Sequence, residues 1–176
     1  MPGRLIRPVY QGRAVRLDLE RVVLPNGHEI ELEIIRHPGG AATVAVDERD
    51  RVCLLRQYRH AAGGWLWELP AGKLDAGEAP QRTASRELAE EAGVKADTWS
   101  SLGQLVSSPG VFTEVVHLFL AQGLSATPTA PEPGECLEVH WVPRDQAVRR
   151  ALDGDIDDGK TVVGLLRADA SLRGRP

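Results

Sequence analysis

The sequence predicts an α+β fold, chiefly from the order of its strand-like and helix-like segments. Apolar runs of strand length recur along the 176 residues, and several alternate apolar and polar side chains. A few segments with helical spacing lie between or after these runs. A chain of this length can form one domain with a substantial core. Mostly antiparallel strands with a few interspersed helices are typical of the α+β class.

The first predicted element is an N-terminal β-hairpin. Residues 13–24 alternate apolar and polar side chains, and residues 29–35 do the same. The sequence Pro-Asn-Gly at 25–27 is a strong turn signal between them. The sequence His-Pro-Gly-Gly at 37–40 then interrupts the pattern. We therefore expect a break between this hairpin and the main body of the chain.

Six further segments are predicted as strands because they are short, apolar and bounded by turn residues. A polar turn at 47–50 joins the first two, and Pro70 with Gly72 ends the third. A loop rich in Pro and Gly, residues 127–135, precedes the last. The six segments are 41–46, 52–58, 65–70, 102–108, 114–122 and 137–142.

Three helices are predicted among these strands. The first begins near Pro80, a residue favoured at the first helical position, and ends at Gly93, a residue favoured just past a helix end. The second begins at Pro143, and the third covers residues 159–172. These helices complete the α+β assignment.

Charge and composition argue against several classes of protein. The net charge is −4, the pI is about 5.7 and no basic tract is present, so nucleic acid is not an expected partner. No apolar run approaches the length of a membrane span, and the N-terminus lacks the apolar segment of a signal peptide. Cys53 and Cys136 have no metal-ligand spacing. We expect a cytoplasmic protein with reduced thiols.

The first predicted helix is unusually acidic on one face. Glu87, Glu90 and Glu91 lie three or four residues apart and share that face. Like charges at this spacing cost about 0.2–0.5 kcal/mol per pair, so water or positive charge must offset them. Arg86 can offset one glutamate. The remaining carboxylates form a hard-oxygen cluster suited to Mg²⁺ or Mn²⁺, and the alternative is a solvated acidic surface.

The spacing around this helix favours the metal-binding interpretation. Residues 72–94 read GKLDAGEAPQRTASRELAEEAGV. This segment resembles the sequence motif of the Nudix hydrolases and matches every fixed position of it. The matching residues are Gly72, Glu78, Arg86, Glu87, Leu88, Glu90, Glu91, Gly93 and Val94.

The resemblance implies a Nudix fold, with a loop-helix-loop on mixed β-sheets sandwiched between helices. It also implies hydrolysis of a nucleoside diphosphate linked to another group, with Mg²⁺ as cofactor and Mn²⁺ as the alternative. Residues at the positions of Glu87 and Glu91 bind metal in that family, Glu90 assists, and the Ala71 carbonyl is a further ligand. Arg86 is implied to orient the glutamates. The chemistry agrees, because phosphoanhydride cleavage needs cations on the phosphate oxygens.

Three further segments resemble the ADP-ribose pyrophosphatase branch. They are LRQYRH with WLWELPAGKL, SSPGVFTE with Pro109, and the C-terminal ALDGDIDDGKTVVGLL. The branch implies cleavage of ADP-ribose to AMP and ribose 5-phosphate. One alternative is hydrolysis of another nucleotide sugar, such as a GDP- or UDP-hexose. Another is a non-catalytic module that senses a nucleotide, although such modules usually lack motif glutamates that this chain retains.

The branch also implies substrate-binding residues outside the motif. Arg59 is expected to reach the diphosphate. Glu68 could bind a ribose or nucleobase, or could merely fill a polar strand position. Relatives often stack the adenine on an aromatic or arginine side chain from the N-terminal region, and Arg36 could take that place. Trp65 and Trp67 share one strand face and are expected in the core or a dimer surface rather than under a nucleobase.

The general base is expected on the loop before the last strand. Glu135 is the first candidate and Glu132 the second, because a flexible loop can bring a carboxylate over the substrate. Glu114 is a third candidate and could instead contact the substrate. Each of these glutamates could also be an unconnected surface residue.

The resemblance divides the chain into an N-terminal arm, residues 1–39, and a Nudix hydrolase domain, residues 40–176. In the branch the arm exchanges with a second subunit, and the substrate lies between the two. Two long strands outside a core would leave exposed edges unless paired or covered. We therefore expect a homodimer whose small-molecule site contains residues from both chains.

Overall fold

The computed structural model describes residues 3–174, and it contains strands and helices in the mixed order that the α+β class requires. Most of them lie within one or two residues of the predicted segments. The strands are β1 (Arg4–Gln11), β2 (Arg16–Val23), β3 (Glu29–Arg36), β4 (Gly40–Ala45), β5 (Arg51–Arg59), β6 (Gly64–Glu68), β7 (Ala71–Lys73), β8 (Val94–Val106), β9 (Val115–Ala126) and β10 (Leu137–Pro143). The helices are α1 (Pro80–Ala92), α2 (Arg144–Asp153) and α3 (Gly159–Leu172).

The strands form three sheets. Strands β1, β2 and β3 form an antiparallel N-terminal sheet in that order. The main sheet has the order β7-β4-β9-β8 and is mixed, because β4 and β9 run parallel while the outer pairs are antiparallel. The third sheet, β10-β5-β6, is antiparallel.

Helices cover both faces of the main sheet. In β4, Ala42 and Val44 pack with Leu165 of α3, whereas Ala41 packs with Ala84 of α1. Every residue of β4 is buried as a result, which explains its continuous apolar sequence. This burial fixes α1 against the main sheet and so fixes the position of its acidic residues.

The predicted N-terminal hairpin is confirmed, but it carries a third strand that the sequence does not predict. Strands β2 and β3 pair in continuous register, and Gly27 adopts a left-handed conformation (φ 84°) in their turn. Strand β1 pairs with β2 through two irregularities, and all of its residues are exposed. An exposed edge strand has no buried face, so no apolar alternation marks it.

The two strands joined by the turn at 47–50 are also confirmed, but they belong to different sheets. Strand β4 lies in the main sheet and β5 in the third sheet, and a single bridge between Val46 and Val52 connects them. The turn therefore carries the chain between sheets. Across residues 3–174, no helix is both long enough and apolar enough to cross a membrane.

Candidate active site

A cavity of about 770 Å³ lies where α1, the ends of β5 and β6, and the start of α3 meet. Nearly all of the candidate site residues line it. Glu91 lies behind the surface with 1% of its area exposed, and Arg36 lines a separate, smaller cavity. The candidates in the lining of the main cavity are Arg59, Glu68, Ala71, Arg86, Glu87, Glu90, Glu114, Glu132 and Glu135.

Helix α1 presents its glutamates from a face that is otherwise part of the core. Glu87 and Glu91 are buried along with Ala84 and Leu88, because the helix packs against the main sheet. Gly93 ends the helix in a left-handed conformation (φ 67°), and its N–H donates to the Ala89 carbonyl. Burial raises the pKa of Glu87 above its ordinary value, even though Arg86 opposes the shift.

Arg86 connects most of the acidic residues of the motif. Its Nη1 donates to Glu87 Oε1 at 2.7 Å and to Glu90 Oε2 at 3.0 Å. Its Nη2 donates to Glu78 Oε2 at 3.2 Å. Burial lowers the pKa of Arg86, but these carboxylates raise it by more, so the pKa lies above its ordinary value. Arg86 thus offsets part of the negative charge of α1 through its contacts with Glu87 and Glu90.

The loop before α1 packs closely against these carboxylates. The Ala71 N–H donates to Glu91 Oε2 at 2.8 Å. A β-carbon on Gly72 would lie 1.7 Å from Glu87 Oε1, so any larger residue there would displace the Glu87 carboxylate. Burial, with smaller contributions from the carboxylates of Glu87 and Glu135, raises the pKa of Glu91 to about 8 against the lowering effect of the Ala71 N–H.

The chemistry of this acidic group fits a divalent cation. Carboxylate oxygens are the ligands that hard cations prefer. Burial raises the pKa values of Glu87 and Glu91, and a bound cation would favour their charged forms. In the structure these carboxylate oxygens accept hydrogen bonds from protein groups. Between residues 3 and 174, no three His, Cys, Asp or Glu side chains are already arranged to bind a metal ion. To bind the ion, Glu87 and Glu90 would have to give up their hydrogen bonds with Arg86.

A second charged group lies at the end of β6. Arg59 donates from Nε to Glu68 Oε1 at 2.7 Å and from Nη2 to Glu68 Oε2 at 2.9 Å. Lys160 donates to the same Oε2 at 2.5 Å. Burial pushes the pKa of Glu68 upward, but the two cations outweigh it, so the pKa lies below its ordinary value.

The loop between β9 and β10 brings both candidate bases to the cavity. The Ala130 N–H donates to the Glu90 carbonyl at 2.9 Å, which ties the loop to α1. Glu135 Oε2 accepts the N–H of Glu132 at 2.8 Å. Glu135 is also close enough to Glu87 to raise its pKa. The Glu135 carboxylate thus lies within electrostatic range of the acidic group, and it also holds its own loop.

The remaining candidates differ in their surroundings. Glu114 lines the cavity, and its Oε1 lies 3.4 Å from His37 Nδ1. Arg36 instead forms ion pairs with Asp18 and Glu20 of β2. Within one chain, the structure does not bring Arg36 to the main cavity.

Neither tryptophan of β6 lines the cavity. Trp65 is 41% exposed and contacts the Tyr58 ring edge-on. Trp67 packs against the core beneath the guanidinium of Arg150, at 4.4 Å from the ring centroid. Both side chains lie on the strand face that points away from Leu66 and Glu68, which do line the cavity.

Sequence reasoning missed Lys160 and Asp158, which line the cavity at the start of α3. The sequence contains a local pattern that places both residues at the start of a helix. Asp158 precedes the predicted helix, and an aspartate before a helix is a favoured N-cap. The N-cap places the next residues at the helix start, but no local pattern shows that this start faces Glu68.

Comparisons with known proteins identify relatives of this chain. The sequence model of the NUDIX domain matches residues 36–163. The chain is 38% identical to an ADP-ribose pyrophosphatase of Mycobacterium tuberculosis, over 94% of this chain and 82% of that protein. It is 37% identical to a GDP-mannose pyrophosphatase of Klebsiella pneumoniae, over 75% of each chain.

A solved structure shows that the fold is shared as well. The crystal structure of an ADP compounds hydrolase superposes with a TM-score of 0.82 at 22% identity, covering 100% of this chain and 98% of that one. Similarity at this level of identity establishes the arrangement of the strands and helices. The predicted α+β arrangement, with mixed sheets sandwiched between helices, is thereby confirmed.

Proposed function

This chain belongs to the Nudix family, and from that membership we propose that it hydrolyses ADP-ribose to AMP and ribose 5-phosphate in a reaction that depends on a divalent cation. The observation that carries the proposal is the single cavity lined by both the motif glutamates and Arg59. The relative from M. tuberculosis supports ADP-ribose as the substrate. A volume of about 770 Å³ suits a ligand of nucleotide size.

Helix α1 and the loop before it would hold the cation. Glu87, Glu90 and Glu91 supply carboxylate oxygens, and the Ala71 carbonyl supplies a backbone oxygen. Bound Mg²⁺, with Mn²⁺ as an alternative, would neutralise phosphate oxygens and lower the pKa of the attacking water. Arg86 keeps Glu87 and Glu90 oriented between turnovers.

The other cavity residues bind the substrate and move the proton. Arg59 donates hydrogen bonds to the diphosphate, because a guanidinium matches the geometry of phosphate oxygens. Water forms a bond to one phosphorus, the bond from that phosphorus to the bridging oxygen breaks, and the proton of the water passes to Glu135. Glu132 is the alternative base, and Glu114 is a further candidate for contact with the substrate.

Replacing Glu87 and Glu91 together with glutamine tests the proposal. We expect the doubly substituted protein to fold and to lose at least about 10³-fold in kcat on ADP-ribose, since the cation loses two carboxylates. The matched control replaces the exposed Glu33 and Glu48 with glutamine. Parental turnover by the folded E87Q/E91Q variant would contradict the assignment.

A second candidate function is hydrolysis of a GDP- or UDP-hexose. The relative from K. pneumoniae favours it. In addition, His37 is the only ring side chain among the described residues that line the cavity, so one chain supplies little to select a base. Mass spectrometry of products from ADP-ribose, GDP-mannose and UDP-glucose in ¹⁸O-labelled water separates the candidates. It also identifies the phosphorus that water attacks.

We also propose that residues 1–39 form an arm on a domain of residues 40–176, and that the active protein is a homodimer. Support comes from the exposed apolar side chains of the arm, since 40–69% of their area is uncovered in one chain. They are Leu5, Ile6, Val9, Tyr10 and Val23. Light scattering measures the mass directly, and a monomer at assay concentration would overturn this proposal. The two free cysteines fit a cytoplasmic location, which cell fractionation checks.

A further inference from the structure

Lys160 lies on the wall of the main cavity and has no role in the reaction proposed above. Its side chain is 17% exposed and belongs to the second residue of α3. Its ammonium donates to Glu68 at 2.5 Å and to Asp158 at 3.0 Å. An ammonium group has three donors. Two acceptors in the described part of the chain leave one donor for a ligand in the cavity.

The start of α3 fixes Lys160 in this position. Asp158 Oδ2 accepts the Thr161 N–H at 3.0 Å and the Thr161 hydroxyl at 2.6 Å. Thr161 Oγ1 in turn accepts the Leu69 N–H at 2.9 Å. These bonds join the start of α3 to the residue that follows Glu68. The position of the Lys160 backbone is therefore fixed by contacts between α3 and the end of β6.

Glu68 gathers two positive charges at one point. Its side chain is 2% exposed, and a buried carboxylate needs compensation. Arg59 Nη2 and Lys160 Nζ both donate to the same oxygen, Oε2. Two cations this close would repel each other without that carboxylate. The arrangement thus places a pair of cations in a cavity whose other charged wall is acidic.

We propose that Lys160 is a second cation that binds the diphosphate of the substrate beside Arg59, and that Glu68 is a positioning residue that holds both cations rather than a substrate contact. This inference rests on the proposed function for the identity of the substrate. Together, the two cations would bind phosphate oxygens of the diphosphate. Their pairing would favour substrates with two phosphates over those with one.

Replacing Lys160 with glutamine tests the role of the ammonium. We expect KM for ADP-ribose to rise roughly ten- to hundredfold, with a smaller change in kcat, because a contact made before and during the reaction acts mainly on binding. K160R keeps the charge and should restore most of the affinity. The matched control is K95Q, at an exposed lysine of β8.

Calorimetry with ADP and AMP tests the preference for two phosphates. K160Q should weaken the binding of ADP about tenfold more than K95Q does, and should weaken AMP less than ADP. KM and ADP affinity within about twofold of those of K95Q would overturn the inference. A wild-type protein that binds ADP but leaves ADP-ribose intact would instead refute the proposed function and leave the calorimetric result for Lys160 standing.

A double-mutant cycle tests the positioning role of Glu68. If Glu68 acts through the cations, E68Q should cost less in kcat/KM when Lys160 is already glutamine than when it is lysine. The melting temperature of each variant is measured to test whether unfolding causes its loss of activity. Losses that simply add in the folded proteins would show that Glu68 acts independently of Lys160 and would overturn that part of the inference.

Discussion

At the scale of single residues, the position of the Glu87 carboxylate depends on Gly72. The Glu87 carboxylate occupies the space that a β-carbon at position 72 would need. A glycine at the start of the motif is therefore required by packing and not by backbone flexibility. Both reasons apply to Gly93, which ends α1 in a left-handed conformation and where a β-carbon would lie 2.8 Å from Thr129 Cγ2 and 3.0 Å from the Thr127 carbonyl oxygen.

We expect G72A to displace the Glu87 carboxylate and to lower kcat/KM about a hundredfold, because small displacements of reacting groups are costly. The measurement is steady-state hydrolysis of ADP-ribose, with circular dichroism to confirm folding. Gly110 provides the matched control, since no atom lies within 4 Å of a β-carbon built there. Equal activity of G72A and G110A would contradict the argument.

The two cysteines should differ sharply in reactivity. Cys53 is buried in β5, and burial raises the pKa of its thiol to about 12, whereas Cys136 is exposed. At pH 8 a thiol with this raised pKa stays protonated and unreactive. Titration with a thiol reagent at pH 8 should therefore detect one group in native protein and two after unfolding.

C136S isolates the contribution of Cys53 to this titration. The native variant should show no reactive thiol, and the unfolded variant should show one. Rapid labelling of native C136S would show that Cys53 is accessible and ionised, against the burial seen in β5.

At the scale of elements, α3 packs so closely on the main sheet that one of its positions excludes any side chain. A β-carbon at Gly164 would lie 2.7 Å from Leu69 Cδ1 and 3.2 Å from Val44 Cγ2. This close packing also sets the position of the start of α3, where Lys160 lies. Glycine within a helix normally weakens it by about 1 kcal/mol relative to alanine.

We expect G164A to destabilise the protein by about 1–3 kcal/mol, because overpacking outweighs the gain in helix propensity. The measurement is urea unfolding. G159A, at the first residue of the same helix with open space around its β-carbon, should leave stability nearly unchanged. A more stable G164A would show that the helix can shift away from the sheet.

Most elements could be predicted from their spacing, and the misses have a common cause. Strands β2 to β6 and helices α1 and α3 lie close to their predicted positions, because each of them is at least partly buried and carries apolar residues there. Strand β1 has none. Strand β8 begins at Val94, eight residues before the predicted start at 102, because its polar first half pairs with β9 while remaining partly exposed.

At the scale of the whole molecule, we expect cation binding and folding to be coupled. The acidic group of α1 is buried with too little positive charge, which costs stability in the absence of a cation. A cation that binds only the native protein stabilises it by about 2.7 kcal/mol at a concentration 100 times its Kd.

We therefore expect saturating Mg²⁺ to raise the melting temperature by about 5–10 °C in a chain of this size. Differential scanning calorimetry with Mg²⁺ or with EDTA measures the shift. E87Q/E91Q should show little or no shift, because two of the carboxylates have gone. An equal shift in both proteins would mean that the ion binds elsewhere.

The sequence by itself determined the acidic face of α1 and the family to which the chain belongs. A helix repeats every 3.6 residues, so the spacing of Glu87, Glu90 and Glu91 fixes which side chains share a face. Packing between distant segments, in contrast, is decided only when the sheets and helices assemble. Lys160 meets Glu68 across 92 residues of sequence, and Arg36 turns to Asp18 instead of the cavity. Such contacts depend on how β6, α3 and the arm pack together, and no local periodicity encodes that arrangement.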